Sequence, residues 1–192
     1  MTAAPEELSA VPAEAFATMI SQLSEAAVEL FGSYGMRIVP IGTRSDGLLG
    51  VDLPGGDQTS ILGVIGYAGD KVRGALVLLT SSTAVQAWHA AIGGLQGADV
   101  CDTLGEFSNM LLGHLKGRLL PAGFPILLST PTTASAGELR IPRAVRPESV
   151  MSFTGDGWRL DVRLDATFED GFALQDASQR TVAARAGDAL LF

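Results

Sequence analysis

The amino-acid sequence predicts a mixed α/β fold, of the α+β kind, built from two related halves. With 47% hydrophobic and 18% charged residues, the 192-residue chain has the composition of a folded protein with a substantial core. Its hydrophobic periodicity alternates between helical and extended stretches, in the order helix, strand, hairpin, short helix, helix, strand, hairpin. The second part of this order repeats the first, and the repeat predicts the two halves.

The first half begins with an amphipathic helix that starts after Pro12 and meets a glycine stop at Gly32. Thr83 and Gln86 match a capping box at the start of a short helix. In chain order, the predicted elements are a helix (13–31), a strand (36–41), a long Gly- and Asp-rich connection (42–59), a hairpin (60–67 and 73–79) and a short helix that ends at Gly93-Gly94.

The second half begins with a long helix that Pro121-Ala122-Gly123 ends. Its predicted elements are that helix (99–120), a strand (124–129), a loop (131–137) and a hairpin (149–154 and 158–166). Aligning Gly35 with Gly123 superimposes the two long helices. At this register Glu106 falls on Thr18 and Asn109 on Ser21, so the two halves differ at these positions.

Composition excludes several classes of function. A net charge of −8 leaves no basic patch for nucleic acid. The single cysteine, Cys101, allows no internal disulfide, and His89 and His114 provide no zinc-site spacing, so both histidines are expected to be structural or solvent-facing. The acidic N-terminus does not resemble a signal peptide, and apolar runs such as 75–79 are too short to cross a bilayer. A cytoplasmic location without membrane contact is expected.

The long helix carries the clearest chemical pattern. At about 100° per residue, its apolar residues form one core-facing stripe, which contains Leu104, Phe107, Leu111 and Leu115. The opposite side is polar and contains Asp102, Glu106, Asn109 and Gly113. Glu106 and Asn109 are three residues apart, so they stack one turn apart and present a carboxylate beside a carboxamide.

Three glycines, Gly105, Gly113 and Gly117, are predicted on the same polar arc. Each costs roughly 0.8–1 kcal/mol relative to alanine inside a helix, so together they suit a surface that another molecule approaches closely. A purely structural interpretation is also open, because Thr103 and Glu106 fit a capping box and Asn109 fits an ordinary exposed amide.

The pattern Asp102-xxx-Glu106-xx-Asn109-xxx-Gly113 resembles the signature of the CheC/CheX/FliY phosphatases of bacterial chemotaxis, most closely the CheX-like branch. The likeness covers roughly residues 13–166, within which the 42–59 connection is long and divergent, and the tail after about Phe168 has no counterpart. Further similar stretches are Ile65-Gly66, Gly74-Ala75-Leu76-Val77-Leu78, Leu115-Lys116, Gly123-Phe124 and Leu128-Ser129-Thr130-Pro131-Thr132. The predicted organisation is a lead-in (1–12), a CheX-like domain (13–166, with halves 13–94 and 95–166) and a C-terminal extension (167–192) in which 172–174 and 189–192 are compatible with edge strands.

The resemblance implies a CheC-like fold, with antiparallel strands in one continuous sheet, long helices on its surface and one active helix. It implies hydrolysis of the aspartyl phosphate on a CheY-like response regulator receiver domain, a reaction of two-component signalling. Asn109 would position the attacking water and Glu106 would pair with the receiver lysine. Gly105 and Gly113 would allow close approach, and Asp102 would either cap the helix or contact the receiver at the rim.

The resemblance further implies no metal or cofactor of the protein's own, with Mg²⁺ held by the receiver. A homodimer is plausible through an exposed sheet edge. The alternative function is a non-catalytic receiver-binding or scaffold module that uses the same helix. A structural role like that of FliY-related domains ranks last, because no part of the sequence resembles a flagellar motor segment.

Overall fold

The structure, a computed structural model, describes residues 13–44, 49–50, 59–93, 99–136, 140–141 and 148–172. Several sequence predictions fall outside these residues: the lead-in 1–12, the boundary between the halves at 94 and 95, and the C-terminal extension beyond Phe172, including the stretch 189–192.

In the described residues the helices are α1 (Ala13–Ser33), α2 (Ser82–Ala91) and α3 (Val100–Leu119), and α3 continues into a 3-10 turn (Leu120–Ala122). The strands are β1 (Val39–Arg44), β2 (Leu49–Gly50), β3 (Ser60–Gly69), β4 (Val72–Ser81), β5 (Ile126–Leu128), β6 (Thr132–Ala136), β7 (Arg140–Ile141), β8 (Glu148–Thr154) and β9 (Arg159–Phe168). Both predicted long helices and both predicted hairpins are confirmed.

The main sheet is antiparallel and has the strand order β1-β8-β9-β4-β3-β5, with β6 also paired to β3. A small second sheet joins β2 to β7. The main order is symmetric about the β9–β4 pair: β1 joins the hairpin of the second half, and β5 joins the hairpin of the first. This reciprocal exchange confirms the predicted fold of two related halves with one antiparallel sheet.

The turns after α1 and α3 repeat the same backbone geometry. Gly35 and Gly123 have φ angles of 73° and 91°, in the left-handed region that glycine adopts most readily. The residue after each glycine donates its backbone N–H to the carbonyl oxygen five residues earlier, from Met36 at 3.0 Å and from Phe124 at 3.2 Å. Gly35, rather than the predicted Gly32, therefore ends α1.

Two local predictions were wrong. The predicted loop 131–137 contains β6, which pairs with residues 60–64 of β3; its small and polar residues show no hydrophobic alternation, because an edge strand needs little burial. The cap of α2 is Ser81, whose Oγ accepts from the Ala84 N–H at 3.2 Å, rather than Thr83. The helix starts earlier because β4 leads directly into it.

The three helices share one core with alternate residues of the sheet. On β4 and β9 these residues are Val72, Leu76, Leu78, Leu160, Val162, Leu164, Ala166 and Phe168. An aromatic cluster at the centre brings the two halves together, since Trp88 lies 4.9 Å from Phe31, 5.1 Å from Phe107 and 5.2 Å from Trp158, measured between ring centroids. This packing holds α3 on the sheet and leaves its outer side facing solvent.

Candidate functional site: an exposed stripe on α3

The outer side of α3 carries a row of exposed residues that we call the exposed stripe: Asp102, Glu106, Asn109, Gly113 and Gly117. The apolar residues predicted for the inner side, Leu104, Phe107, Leu111 and Leu115, are at most 1% exposed. The predicted amphipathic division of the helix is therefore confirmed, with Glu106 and Asn109 on the solvent side.

The start of α3 is capped by Asp99, whose side chain accepts a hydrogen bond from the Cys101 N–H at 3.0 Å. Thr103 lies inside the helix, where its Oγ1 donates to the Asp99 carbonyl oxygen at 3.3 Å and lies 3.1 Å from His89 Nδ1. These contacts exclude both the capping box at Thr103 and the N-cap role for Asp102. Asp102 remains an exposed carboxylate in the first turn.

Glu106 and Asn109 have no intramolecular role in the part of the chain that the structure describes. Neither side chain makes a hydrogen bond or an ion pair with a described residue. Both stand on a helix whose opposite side is packed in the core, so their positions are well defined while their polar atoms stay available. The polar atoms of both side chains are therefore free to meet solvent or another molecule.

The sequence predicts one shared, exposed environment for the three glycines of α3, but the structure shows two different environments. Gly105 is buried, and a Cβ added there would lie 3.6 Å from Thr133 Cγ2 and 3.8 Å from Pro131 Cγ. The prediction that it shares the exposed arc was wrong because β6 and the turn before it cover that side of the helix. Gly113 and Gly117 are exposed, and a Cβ at either position would meet nothing within 4 Å.

Arg118 fastens the C-terminal part of α3 to α1. Its guanidinium contacts Glu25 and Glu29 of α1, each at 2.7 Å. The hydrogen bond from Arg118 lowers the pKa of Glu29, and the same bond raises the pKa of Arg118.

Deeper in the molecule, a Cβ at Gly63 of β3 would lie 2.5 Å from Ser108 Oγ, so the bare backbone of β3 lets α3 approach the sheet.

Tyr34 lies beside the exposed stripe, although sequence reasoning did not select it. It follows α1 in the chain, and its hydroxyl donates to Met110 Sδ at 3.2 Å. Its ring centroid is 6.0 Å from that of Phe107. Hydrophobic periodicity could not reveal this contact, because it joins residues that are 76 positions apart.

The surroundings favour a surface-binding site over a small-molecule pocket. A recess of about 480 Å³ is lined by residues of β3, β4 and β5 together with Ser129, and includes no residue of the exposed stripe. Over the described ranges, no cluster of His, Cys, Asp and Glu side chains could hold a metal ion. None of the helices in those ranges has the length and hydropathy needed to span a membrane.

Comparison with known proteins agrees with this architecture. The family model described as chemotaxis phosphatase CheX matches residues 61–154, which include all of α3. No curated protein sequence matches the chain. Among solved structures, CheX from Vibrio vulnificus is similar with a TM-score of 0.63 and 19% identity, covering 77% of this chain and 98% of that one.

Two further structures show the same fold. CheX from Desulfovibrio desulfuricans has a TM-score of 0.62 and 18% identity, covering 80% of this chain and 99% of that one. The CheX–CheY–BeF3–Mg²⁺ complex from Borrelia burgdorferi has a TM-score of 0.56 and 16% identity, covering 79% and 96%. The structure thus has a CheC-like fold, and the polar stripe of its long helix is exposed. In fold, and in sequence over residues 61–154, the chain is similar to the CheC/CheX/FliY group of chemotaxis proteins.

Proposed function

We propose that this protein is a CheX-like phosphatase that hydrolyses the aspartyl phosphate of a CheY-like receiver domain. The observation that carries the proposal is the exposed pair of Glu106 and Asn109, which makes no hydrogen bond or ion pair with any residue that the structure describes. The two residues stand one turn apart on a helix packed firmly on the sheet. The solved complex of a CheX with CheY, BeF3 and Mg²⁺ supports this class of partner. The cytoplasm is the proposed location.

In this reaction the main task of the protein is to position the reacting groups. An acyl phosphate is already activated, and the receiver supplies its own divalent metal and a lysine that hold the phosphoryl group. What remains is to align a water molecule in line with phosphorus, and positioning is a large part of catalysis in phosphoryl transfer. The Asn109 carboxamide can accept from and donate to that water without changing its protonation state.

Residues near Asn109 on α3 would bind the receiver domain and set its orientation. Glu106 pairs with the receiver lysine, a charge-assisted contact that strengthens when the interface excludes water. Gly113 allows close approach, and Asp102 contacts the rim. Gly105 takes no part in this close approach, because it is buried against β6 and the turn before it.

Self-association stays a prediction. Among the strands that the structure describes, β1 forms one edge of the main sheet, and β5 and β6 form the other. Pro40 within β1 and Pro125 before β5 each remove a backbone donor. Pairing between two copies at either edge would therefore be limited to short stretches.

The direct test follows phosphate loss from candidate phosphorylated receivers in the presence of Mg²⁺. The wild type is expected to accelerate this loss. Glu106→Ala is expected to raise the KM for the receiver by about tenfold, since a lost charge-assisted contact of about 1.4 kcal/mol changes affinity by that factor. If no receiver loses phosphate faster but one binds selectively when phosphorylated, the protein is instead a receiver-binding module.

Gly113→Ala separates stability from docking. A Cβ here meets nothing within 4 Å, so alanine should stabilise the helix by about 0.8–1 kcal/mol, measured by urea unfolding. The same methyl group would stand one turn from Asn109 and hold the receiver away, which should lower kcat/KM by about tenfold, equivalent to about 1.4 kcal/mol.

Gly117→Ala is the matched control, because Gly117 is equally open but two turns from Asn109. It should stabilise the protein to a similar extent and leave kcat/KM unchanged. Equal activity in the two variants would contradict the close-approach role of Gly113.

A further inference from the structure

We propose that Tyr34 and Met110 form an apolar shelf beside Glu106 and Asn109 that determines which receiver domains dock productively. The shelf would contact an apolar side chain next to the receiver's phosphorylated aspartate. This inference rests on the proposed function and adds to it a residue pair that sets partner specificity.

The position of Tyr34 is defined by several contacts. Its backbone N–H donates to the Phe31 carbonyl oxygen at 3.2 Å, in the turn that Gly35 completes. Its hydroxyl donates to Met110 Sδ at 3.2 Å, and its ring lies 6.0 Å from that of Phe107. The ring is therefore held against α3 while the residue keeps 36% of its surface exposed.

Helix geometry places this shelf within the footprint of anything that covers the reactive pair. Met110 follows Asn109 in the chain and lies four residues after Glu106, so Met110 and Glu106 are neighbours about 6 Å apart along the axis. Met110 is half-buried, and Tyr34 extends the surface from Met110 toward α1. A receiver seated on Glu106 and Asn109 would also contact Met110 and Tyr34.

Discrimination between receiver domains requires a contact with a part of the receiver that differs from one receiver to another. The aspartyl phosphate, the metal and the lysine are groups that phosphorylated receivers have in common, so Glu106 and Asn109 distinguish poorly among them. Among the described residues, Tyr34 is the only aromatic side chain that is exposed. Tyrosine is enriched among residues that dominate binding energy, because it provides a large contact area with few rotatable bonds.

The test measures kcat and KM for a panel of phosphorylated receivers with wild type, Tyr34→Ala and Tyr34→Phe. Tyr34→Ala should raise the KM of the best receiver about tenfold, as expected for a binding hot spot, with kcat unchanged. The ratio of kcat/KM between the best and the worst receiver should fall. Tyr34→Phe keeps the ring and should retain most of the wild-type selectivity.

The control is Val28→Ala, which shortens another exposed apolar side chain, 42% exposed on α1, and should change neither constant. Circular dichroism and a thermal melt check that each variant is folded. Suppose the wild type hydrolyses the aspartyl phosphate and the folded Tyr34→Ala variant keeps the wild-type KM values and selectivity ratio. The specificity role of the shelf is then wrong, while the proposed function stands. If the wild type neither hydrolyses nor binds any phosphorylated receiver, both proposals fail.

Discussion

Asn109→Ala is expected to reduce the stimulated loss of receiver phosphate by at least about 100-fold, the order of magnitude associated with misplacing a reacting group. Alanine removes both the acceptor and the donor that would hold the water. Receiver affinity should change little, because Glu106 and the surrounding surface remain in place. The measurement pairs single-turnover dephosphorylation with a binding titration of the receiver carrying a stable phosphoryl analogue.

Two further variants sharpen this prediction. Asn109→Asp keeps the size of the side chain, but the carboxylate cannot donate to water and adds negative charge beside the phosphoryl group. The stimulated dephosphorylation should therefore fall at least as far as in Asn109→Ala. Ser21→Ala removes an exposed polar side chain at the corresponding position of α1 and should have no effect. If Asn109→Ala retains wild-type turnover, the water-positioning role is wrong.

Gly74→Ala is expected to destabilise the fold by about 3 kcal/mol or more, at the upper end of the cost of overpacking. Gly74 lies in β4, between β3 and β9. The Tyr67 hydroxyl passes over it to donate to the Asp165 carbonyl oxygen at 2.6 Å. An added Cβ would overlap that carbonyl oxygen and lie 2.6 Å from the hydroxyl, and the carbonyl cannot move without disturbing β9.

Urea unfolding measures this loss, with Gly66→Ala on the neighbouring strand as the control. The nearest atom to a Cβ at Gly66 is Ser129 Oγ at 3.2 Å, which accepts a hydrogen bond from the Gly66 N–H at 2.9 Å. This side-chain atom would have to move by only a few tenths of an ångström, so Gly66→Ala should cost much less. The double variant Gly74→Ala/Tyr67→Phe should recover only part of the loss because the backbone overlap remains. A loss below about 1 kcal/mol for Gly74→Ala would contradict this packing argument.

Much of the fold was predictable because its signals are local. The helical repeat of Leu104, Phe107 and Leu111 predicted both α3 and its exposed side, and the two hairpins followed from extended apolar runs around short turns. The alignment of Gly35 with Gly123 predicted related halves, and the two glycines indeed share a left-handed conformation. The resemblance of the α3 pattern to one family supplied the hypothesis for Glu106 and Asn109.

The missed features depend on neighbours that are distant in sequence. Thr132 to Ala136 form a strand only because the edge of β3 is available to pair with them, and no hydrophobic pattern within the segment indicates this. The same strand buries Gly105, which the helical repeat alone had placed on the exposed arc. Ser81 caps α2 because β4 runs straight into it.

The sequence by itself determined the helices, the hairpins, the relation between the halves and the exposed row that contains Glu106 and Asn109. Side-chain periodicity and turn chemistry operate over a few residues, so they can be recognised without the rest of the fold. Only the tertiary structure decided which strands exchange between the halves, which glycine of α3 is covered, and that Tyr34 lies beside the site. Those outcomes depend on which surfaces remain to be buried once the local elements have formed, and this is a property of the whole chain.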